Sequence, residues 1–247
     1  MPFLNSALAQ TGTGMTQAAH GAWHLFTRLG EAQVLLPAML VTLLWLIVSA
    51  RATPAVLAWL LATGAAIAFT TATKVAFFGY EIGYAPLDYT GISGHAMFAA
   101  AVLPVLFALA AGGASPRTRR MVVAAGYVLA AMIAYSRLPV GAHSPIEALA
   151  GLALGSLASS WVVFGKRLPD IRPPLWLGAV LLLWMLSLPV GGPPSPTHGW
   201  VIRLSMAVAD RPAPYQRWQM HRDYRREKQR RQAAQASNSA KAPAGLR

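Results

Sequence analysis

Six long apolar runs constrain the fold of this chain more than any other feature. They cover residues 33–50, 55–78, 92–111, 121–135, 146–164 and 175–190. A membrane-spanning helix needs roughly 20 mainly apolar residues. Only 12% of the chain is charged, against about 25% in an average soluble domain. The runs therefore predict an all-α, polytopic membrane helical bundle with about six transmembrane helices, over residues 33–190.

The segments on either side of this domain are different in composition. Within residues 1–32, the aromatic stretch 15–29 predicts a helix lying in the membrane interface, with a mobile arm as the alternative. Residues 191–247 contain a Gly/Pro break, a short apolar surface segment and a basic tail, which we expect to be helical and then disordered. The formal net charge of +13 favours contact between this tail and anionic lipid headgroups over a role with nucleic acid.

The connection between the second and third runs carries a first group of candidate site residues. Lys74 stands near the end of the second run, and Ser93-Gly94-His95 opens the third. Ser93 is a good N-cap, and the free backbone N–H groups at a helix start suit a phosphate. The alternative is an ordinary capped helix whose histidine faces the headgroups.

The connection between the fourth and fifth runs carries a second group. Arg137 offers a planar fork of donors for two phosphate oxygens. His143 and Glu147 share a helix face if the helix extends back to His143. Glu147 then orients the imidazole, or it caps the helix in a capping box with Ser144. Both interpretations stay open, and a carboxylate with two oxygens allows both at once.

The two connections lie on the same side of the predicted membrane, so their cations and histidines are expected to line one pocket for an oxyanion. Carboxylates are few and scattered, so we expect catalysis by cationic side chains, with no metal and no cofactor. The remaining histidines are expected to carry no function: His20 and His24 lack a third metal ligand, and His198 and His221 should lie at the surface.

These motifs resemble those of the type 2 phosphatidic acid phosphatase superfamily, which also includes vanadium haloperoxidases and glucose-6-phosphatase. The family pattern is Lys followed after six residues by Arg-Pro, then Pro-Ser-Gly-His, then Ser-Arg, five residues, His, three residues and Asp. The resemblance covers residues 74–155. It departs from the pattern at Ile92 in place of proline, at Glu147 in place of aspartate, and at Glu81-Ile82 in place of Arg-Pro.

The resemblance implies a membrane lipid phosphatase with defined roles for the site residues. His143 would attack phosphorus and form a phosphohistidine, Glu147 would orient His143, and His95 would protonate the leaving oxygen. The phosphate oxygens would be held by Lys74, Ser93, Gly94 and Arg137. Undecaprenyl pyrophosphate is the favoured lipid substrate. A lipid phosphotransferase and a non-catalytic lipid-binding or transport protein are the alternatives, the latter because the family's arginine is missing.

The membrane orientation is contested within the sequence. The positive-inside rule places the basic loops around 117–120 and 166–172 in the cytoplasm and the site outside. Six spans then place the basic tail outside as well, which the same rule disfavours. The resemblance favours a site on the extracytoplasmic face of a bacterial inner membrane.

Overall fold

The computed structural model describes Trp23 and residues 26–165, 168–187 and 195–241. Most of the predicted interfacial stretch, together with His20 and His24, falls outside the described residues. The described part of the chain contains eight α-helices and no β-strand: α1 (Ala32–Val48), α2 (Thr53–Tyr80), α3 (Gly94–Ala110), α4 (Pro116–Ser136), α5 (Pro145–Val163), α6 (Leu175–Ser187), α7 (Thr197–Ala209) and α8 (Arg217–Lys241).

Helices α1 to α6 correspond to the six apolar runs, which confirms the predicted all-α membrane bundle. Three described helical segments are long and apolar enough to cross a membrane: Phe26–Val48, which contains α1, Thr53–Tyr80 (α2) and Pro145–Val163 (α5). Gly94–Ala110 and Leu175–Trp184 are apolar but shorter, and α4 begins with several arginines. That six helices cross the membrane therefore stays a prediction. Large apolar side chains face outwards on α1 and α2, as expected of a surface covered by lipid.

The most deeply buried element is α3, which packs against α5 and α4 and also contacts α1 and α2. Serines start the helices around it. Ser93 caps α3 and Ser115 caps α4, each by accepting a hydrogen bond from a backbone N–H of the first turn. Pro116 and Pro145 occupy the first positions of α4 and α5, where their missing N–H groups cost nothing.

Two glycines let α5 lie directly on α3. A Cβ atom added at Gly151 would lie 2.5 Å from the carbonyl oxygen of Ser93, and one added at Gly155 would lie 2.0 Å from that of Met97. Small residues at such spacing allow helix backbones to approach closely inside a membrane. The close contact brings the starts of α3 and α5 together, and these are the segments that carry the two motifs.

The C-terminal segment packs against the end of α2, although its composition predicts a solvated tail. α7 contacts α2 at Gly79. Phe77, Tyr215 and Met220 form a second small apolar cluster, and the backbone N–H of Tyr215 donates to the carbonyl oxygen of Phe78 at 2.9 Å. The predicted basic helix is present as α8, but its first turns belong to the folded body of the protein.

We expect Gly155→Ala to lower the free energy of unfolding by about 1–3 kcal/mol, because the new methyl group overpacks the contact between α3 and α5. Gly64→Ala is the matched control, since a Cβ there meets nothing within 4 Å. Apparent melting temperatures in detergent check both variants. A Gly155→Ala protein that melts no lower than the control would contradict the close packing.

Candidate active site

A cavity of about 680 Å³ lies where α2 and α4 end and α3 and α5 begin. Its lining includes five of the seven predicted site residues: Lys74, Gly94, His95, Arg137 and His143. The structure thus brings together side chains that are far apart in sequence, as the alternation of the helices predicts. The other two residues, Ser93 and Glu147, are completely buried behind this lining.

The ring of His143 is held by Glu147. The Nδ1 atom of His143 lies 2.7 Å from the Oε2 atom of Glu147. Glu147 accepts from several N–H groups, so it is an ionised acceptor and Nδ1 carries the proton. This tautomer leaves a lone pair on Nε2, for which the described residues provide no hydrogen-bond donor. Burial lowers the pKa of His143, the hydrogen bond with Glu147 opposes this, and the nearby Lys74 lowers it again.

Both sequence interpretations of Glu147 hold at once. While Oε2 contacts His143, it also accepts a hydrogen bond from the backbone N–H of Ser144 at 3.1 Å, which is the Glu147 half of the capping box. The second oxygen, Oε1, accepts from the backbone N–H and the hydroxyl of Thr90, both at 2.6 Å. Capping and orientation are therefore two effects of one fixed carboxylate.

Arg217, at the start of α8, completes the surroundings of Glu147. Its Nη2 atom donates to Oε2 at 2.8 Å and to Oε1 at 3.0 Å. Arg217 is not apparent as a site residue from the sequence, because it lies in a run of basic residues that resembles a solvated tail. The proline and aromatic residues in Arg-Pro-Ala-Pro-Tyr, 211–215, are the signal that this part of the tail is packed.

The Ser93-Gly94-His95 motif forms the first turn of α3 as predicted, but its members lie in different environments. Ser93 Oγ is buried and accepts from the backbone N–H of Ala96 at 3.5 Å. The Ser93 backbone N–H donates to the carbonyl oxygen of Glu147 at 3.1 Å. Gly94 and His95 line the cavity. The geometry makes Ser93 the residue that joins the two motifs, and its predicted contact with phosphate stays a prediction.

Lys74 projects into the cavity from the last turns of α2. The connection to α3 is tied to the same turn, because the hydroxyl of Thr73 accepts from the backbone N–H of Ile92 at 3.1 Å. Gly91 has a φ of +132°, and a Cβ atom there would lie 3.1 Å from Cγ of Lys74. A glycine at this position therefore lets the chain turn while the lysine passes beside it.

Arg137 follows the end of α4 and is anchored from the far side of the cavity. Its Nη1 atom donates to the hydroxyl of Thr27 at 2.6 Å. Its Nε atom is buried and has no hydrogen-bond partner in the described part of the chain. Arg137 also lines the cavity, so its guanidinium charge favours an oxyanion bound there.

The family's missing arginine has no replacement at the expected position in sequence. Glu81 stands there, ends α2 with a φ of +62° and accepts a hydrogen bond from Arg211 at 2.5 Å. The arginine that lines the cavity near Glu147 is instead Arg217. The departure from the family pattern is thus accompanied by two arginines from the C-terminal segment.

The two C-terminal histidines differ. His198 is exposed beside Phe78 at the edge of the cavity, as expected. His221 is half-buried instead, and its Nε2 atom lies 2.6 Å from Oδ1 of Asp88. Among the described residues, no three histidine or acidic side chains come close enough to hold a metal ion. Metal independence stays a prediction, which phosphate release in the presence of EDTA tests.

These features define an integral membrane protein with a cationic cavity built around two histidines. The PAP2 superfamily matches residues 70–168, a range that contains all seven predicted site residues and excludes Arg217. The chain is also 37% identical over 206 residues to an uncharacterized 22.5 kDa protein in the cps region of Klebsiella pneumoniae, covering 81% of this chain and 98% of that protein. No solved structure gives a significant match.

The chain belongs to the PAP2 superfamily, the family that the two motifs predict. Membership of this superfamily implies phosphatase activity, so the protein is assigned at a general level to the phosphoric ester hydrolases.

We expect the His143 ring to titrate below the ordinary histidine pKa of about 6.5, because burial disfavours the charged imidazolium. Glu147→Gln should lower this pKa further, since it removes the negative charge that favours protonation. Glu227→Gln, which changes an exposed carboxylate paired with Arg231, should leave it unchanged. Nitrogen-15 NMR of labelled protein in detergent measures the titration, with His143→Asn to assign the signal. A His143 pKa at or above 6.5 in the wild type would contradict the expected effect of burial on this ring.

Proposed function

We propose that this protein is a metal-independent lipid phosphatase that hydrolyses a membrane lipid phosphate or pyrophosphate through a phosphohistidine on His143. The observation that carries the proposal is the 2.7 Å contact between His143 and a completely buried Glu147, on a cavity that also presents Lys74, His95 and Arg137. A buried carboxylate fixes the tautomer, and the free ring nitrogen becomes a nucleophile.

The reaction takes two displacements. In the first, the Nε2 lone pair of His143 forms a bond to the terminal phosphorus while the bond from that phosphorus to the leaving oxygen breaks, and the protonated ring of His95 gives its proton to that oxygen. The leaving oxygen belongs to the lipid alcohol in a monophosphate and to the lipid phosphate in a pyrophosphate. In the second, water gives a proton to His95 and bonds to phosphorus while the phosphorus–nitrogen bond breaks. Inorganic phosphate leaves, and both histidines return to their first state. Lys74 and Arg137 stabilise the charge on the phosphate oxygens throughout.

The cavity suits a substrate with a phosphate at one end and a hydrocarbon chain at the other. Its cationic residues lie where helices end, and the remaining lining includes Leu36, Ile67, Phe98 and Trp200. Among lipids of this kind we favour undecaprenyl pyrophosphate, which must be recycled on the extracytoplasmic face of a bacterial inner membrane, where we place the site. Exposed basic residues of α8, such as Arg226 and Arg230, are proposed to contact anionic headgroups. The proposal includes no nucleic-acid partner.

We expect the purified protein to release phosphate from at least one of undecaprenyl pyrophosphate, phosphatidic acid and phosphatidylglycerol phosphate in the presence of EDTA. His143→Ala should reduce kcat by about 10³-fold or more, because it removes the nucleophile. Glu227→Gln, at an exposed residue of α8, is the control, and its kcat should stay within a few-fold of the wild type. Phosphate release and lipid products are measured together.

Three results would overturn this function. They are loss of activity in EDTA, a His143→Ala protein as active as the control, and a folded wild type that releases no phosphate from any of the lipids. Transfer of the phosphoryl group to a second lipid, detected among the products, would identify a phosphotransferase instead.

A further inference from the structure

The charge of Glu147 is balanced by a residue outside the region that matches the family. The carboxylate is completely buried, and burying an unpaired charge is strongly unfavourable. Among the described residues, Arg217 is the one arginine or lysine that donates a hydrogen bond to it. The C-terminal helix therefore supplies the hydrogen-bonded counter-charge of the buried carboxylate that holds His143.

The guanidinium of Arg217 joins three parts of the site. Its Nη2 atom contacts both oxygens of Glu147 and donates to the hydroxyl of Thr90 at 3.1 Å. Its Nη1 atom donates to the backbone oxygen of Asp88 at 3.3 Å and forms an ion pair with the Asp88 carboxylate. A planar fork with several fixed donors can make these contacts together, whereas an ammonium group cannot.

Contacts on both sides of Arg217 hold it in place. Before it, Arg211 donates to Glu81 at 2.5 Å and to the carbonyl oxygen of Gly79 at 3.2 Å. After it, Met220 belongs to the apolar cluster with Phe77, and His221 contacts Asp88. The position of the guanidinium is therefore set by a docked segment of chain rather than by one long, mobile side chain.

Arg217 also lies in the wall of the active-site cavity. A second cavity adjoins the first, and His143 and Arg217 line both. The second cavity is bounded otherwise by the connections 86–88 and 138–146. Arg217 thus shares the walls of both cavities with His143 and contacts the carboxylate that holds its ring.

We propose that Arg217 is a positioning residue of the active site, which holds Glu147 in place and through it orients His143, so that the C-terminal segment is required for catalysis. This inference rests on the proposed function for its kinetic consequences. Arg217 acts on the carboxylate and not on the phosphate, so its loss should affect kcat rather than KM.

The test compares Arg217→Gln, Arg217→Lys and Arg225→Gln in the full-length protein. Arg225 is exposed on the same helix, so its replacement makes the same change in net charge away from the site. Arg217→Gln should lower kcat roughly 10- to 100-fold, as loss of a residue that orients a ligating histidine does in metal sites, with KM within about threefold of the wild type. Arg225→Gln should match the wild type.

The pH profile separates positioning from a general loss of structure. Among the described residues, the charged or titratable groups around His143 are Glu147, Lys74, Arg137 and His95, with His198 in the lining of the same cavity. Arg217 and Asp88 line the second cavity with His143, and Arg217 contacts Glu147. Removing the positive charge of Arg217 leaves Glu147 less compensated, which favours the imidazolium and raises the pKa of His143. The acid limb of kcat/KM should therefore move to higher pH in Arg217→Gln. In Arg217→Lys it should stay near the wild-type position, because the charge is kept.

NMR titration of His143 gives the same comparison without turnover. It decides the role of Arg217 even if the wild type hydrolyses none of the lipids, a result that would overturn the proposed function separately. The inference is overturned by a folded Arg217→Gln protein whose kcat and His143 titration equal those of Arg225→Gln. A rise in KM with an unchanged titration would also overturn it, because Arg217 would then bind substrate directly.

Discussion

The site depends on the hydrogen bonds of one buried carboxylate, that of Glu147. It is completely buried, and its two oxygens accept hydrogen bonds from Thr90, Ser144 and Arg217 while contacting His143. A buried charge is tolerated only with partners of this number and quality, so the carboxylate and its donors fix one another. The donors come from the α2–α3 connection, the α4–α5 loop and the C-terminal helix. One side chain therefore links three segments: two that the close packing of α3 on α5 brings together, and the C-terminal helix, which is docked onto the end of α2.

This arrangement separates the residues that hold the site from those that face the cavity. Ser93 and Glu147 are buried behind the lining. The backbone N–H of Ser93 donates a hydrogen bond to the backbone carbonyl oxygen of Glu147 and so joins the starts of α3 and α5. Lys74, His95 and Arg137 line the cavity. The ends of α2 and α4 thus position Lys74 and Arg137, whose charge is left available for an anion. Such preorganised charge needs little rearrangement when a transition state forms.

Much of this was predictable from the sequence, because the apolar runs and the two motifs are local patterns. The runs predict the helices, and the spacing of His143 and Glu147 predicts their contact, since residues four apart share a helix face. Arg217 was not predictable in the same way. It lies 70 residues from Glu147 in sequence, within a basic run whose usual meaning is a solvated surface. The same holds for the pairs Arg211–Glu81 and His221–Asp88, which arise because an apolar cluster docks the tail onto α2.

The stereochemical course at phosphorus tests the central claim most directly, namely that His143, oriented by Glu147, is the nucleophile. A lipid thiophosphate made chiral with oxygen isotopes would be hydrolysed by the wild-type protein, and the configuration of the released thiophosphate determined. Two in-line displacements, first by His143 and then by water, predict net retention. Net inversion would mean that water attacks the substrate in a single step, and the assignment of His143 as nucleophile would be wrong.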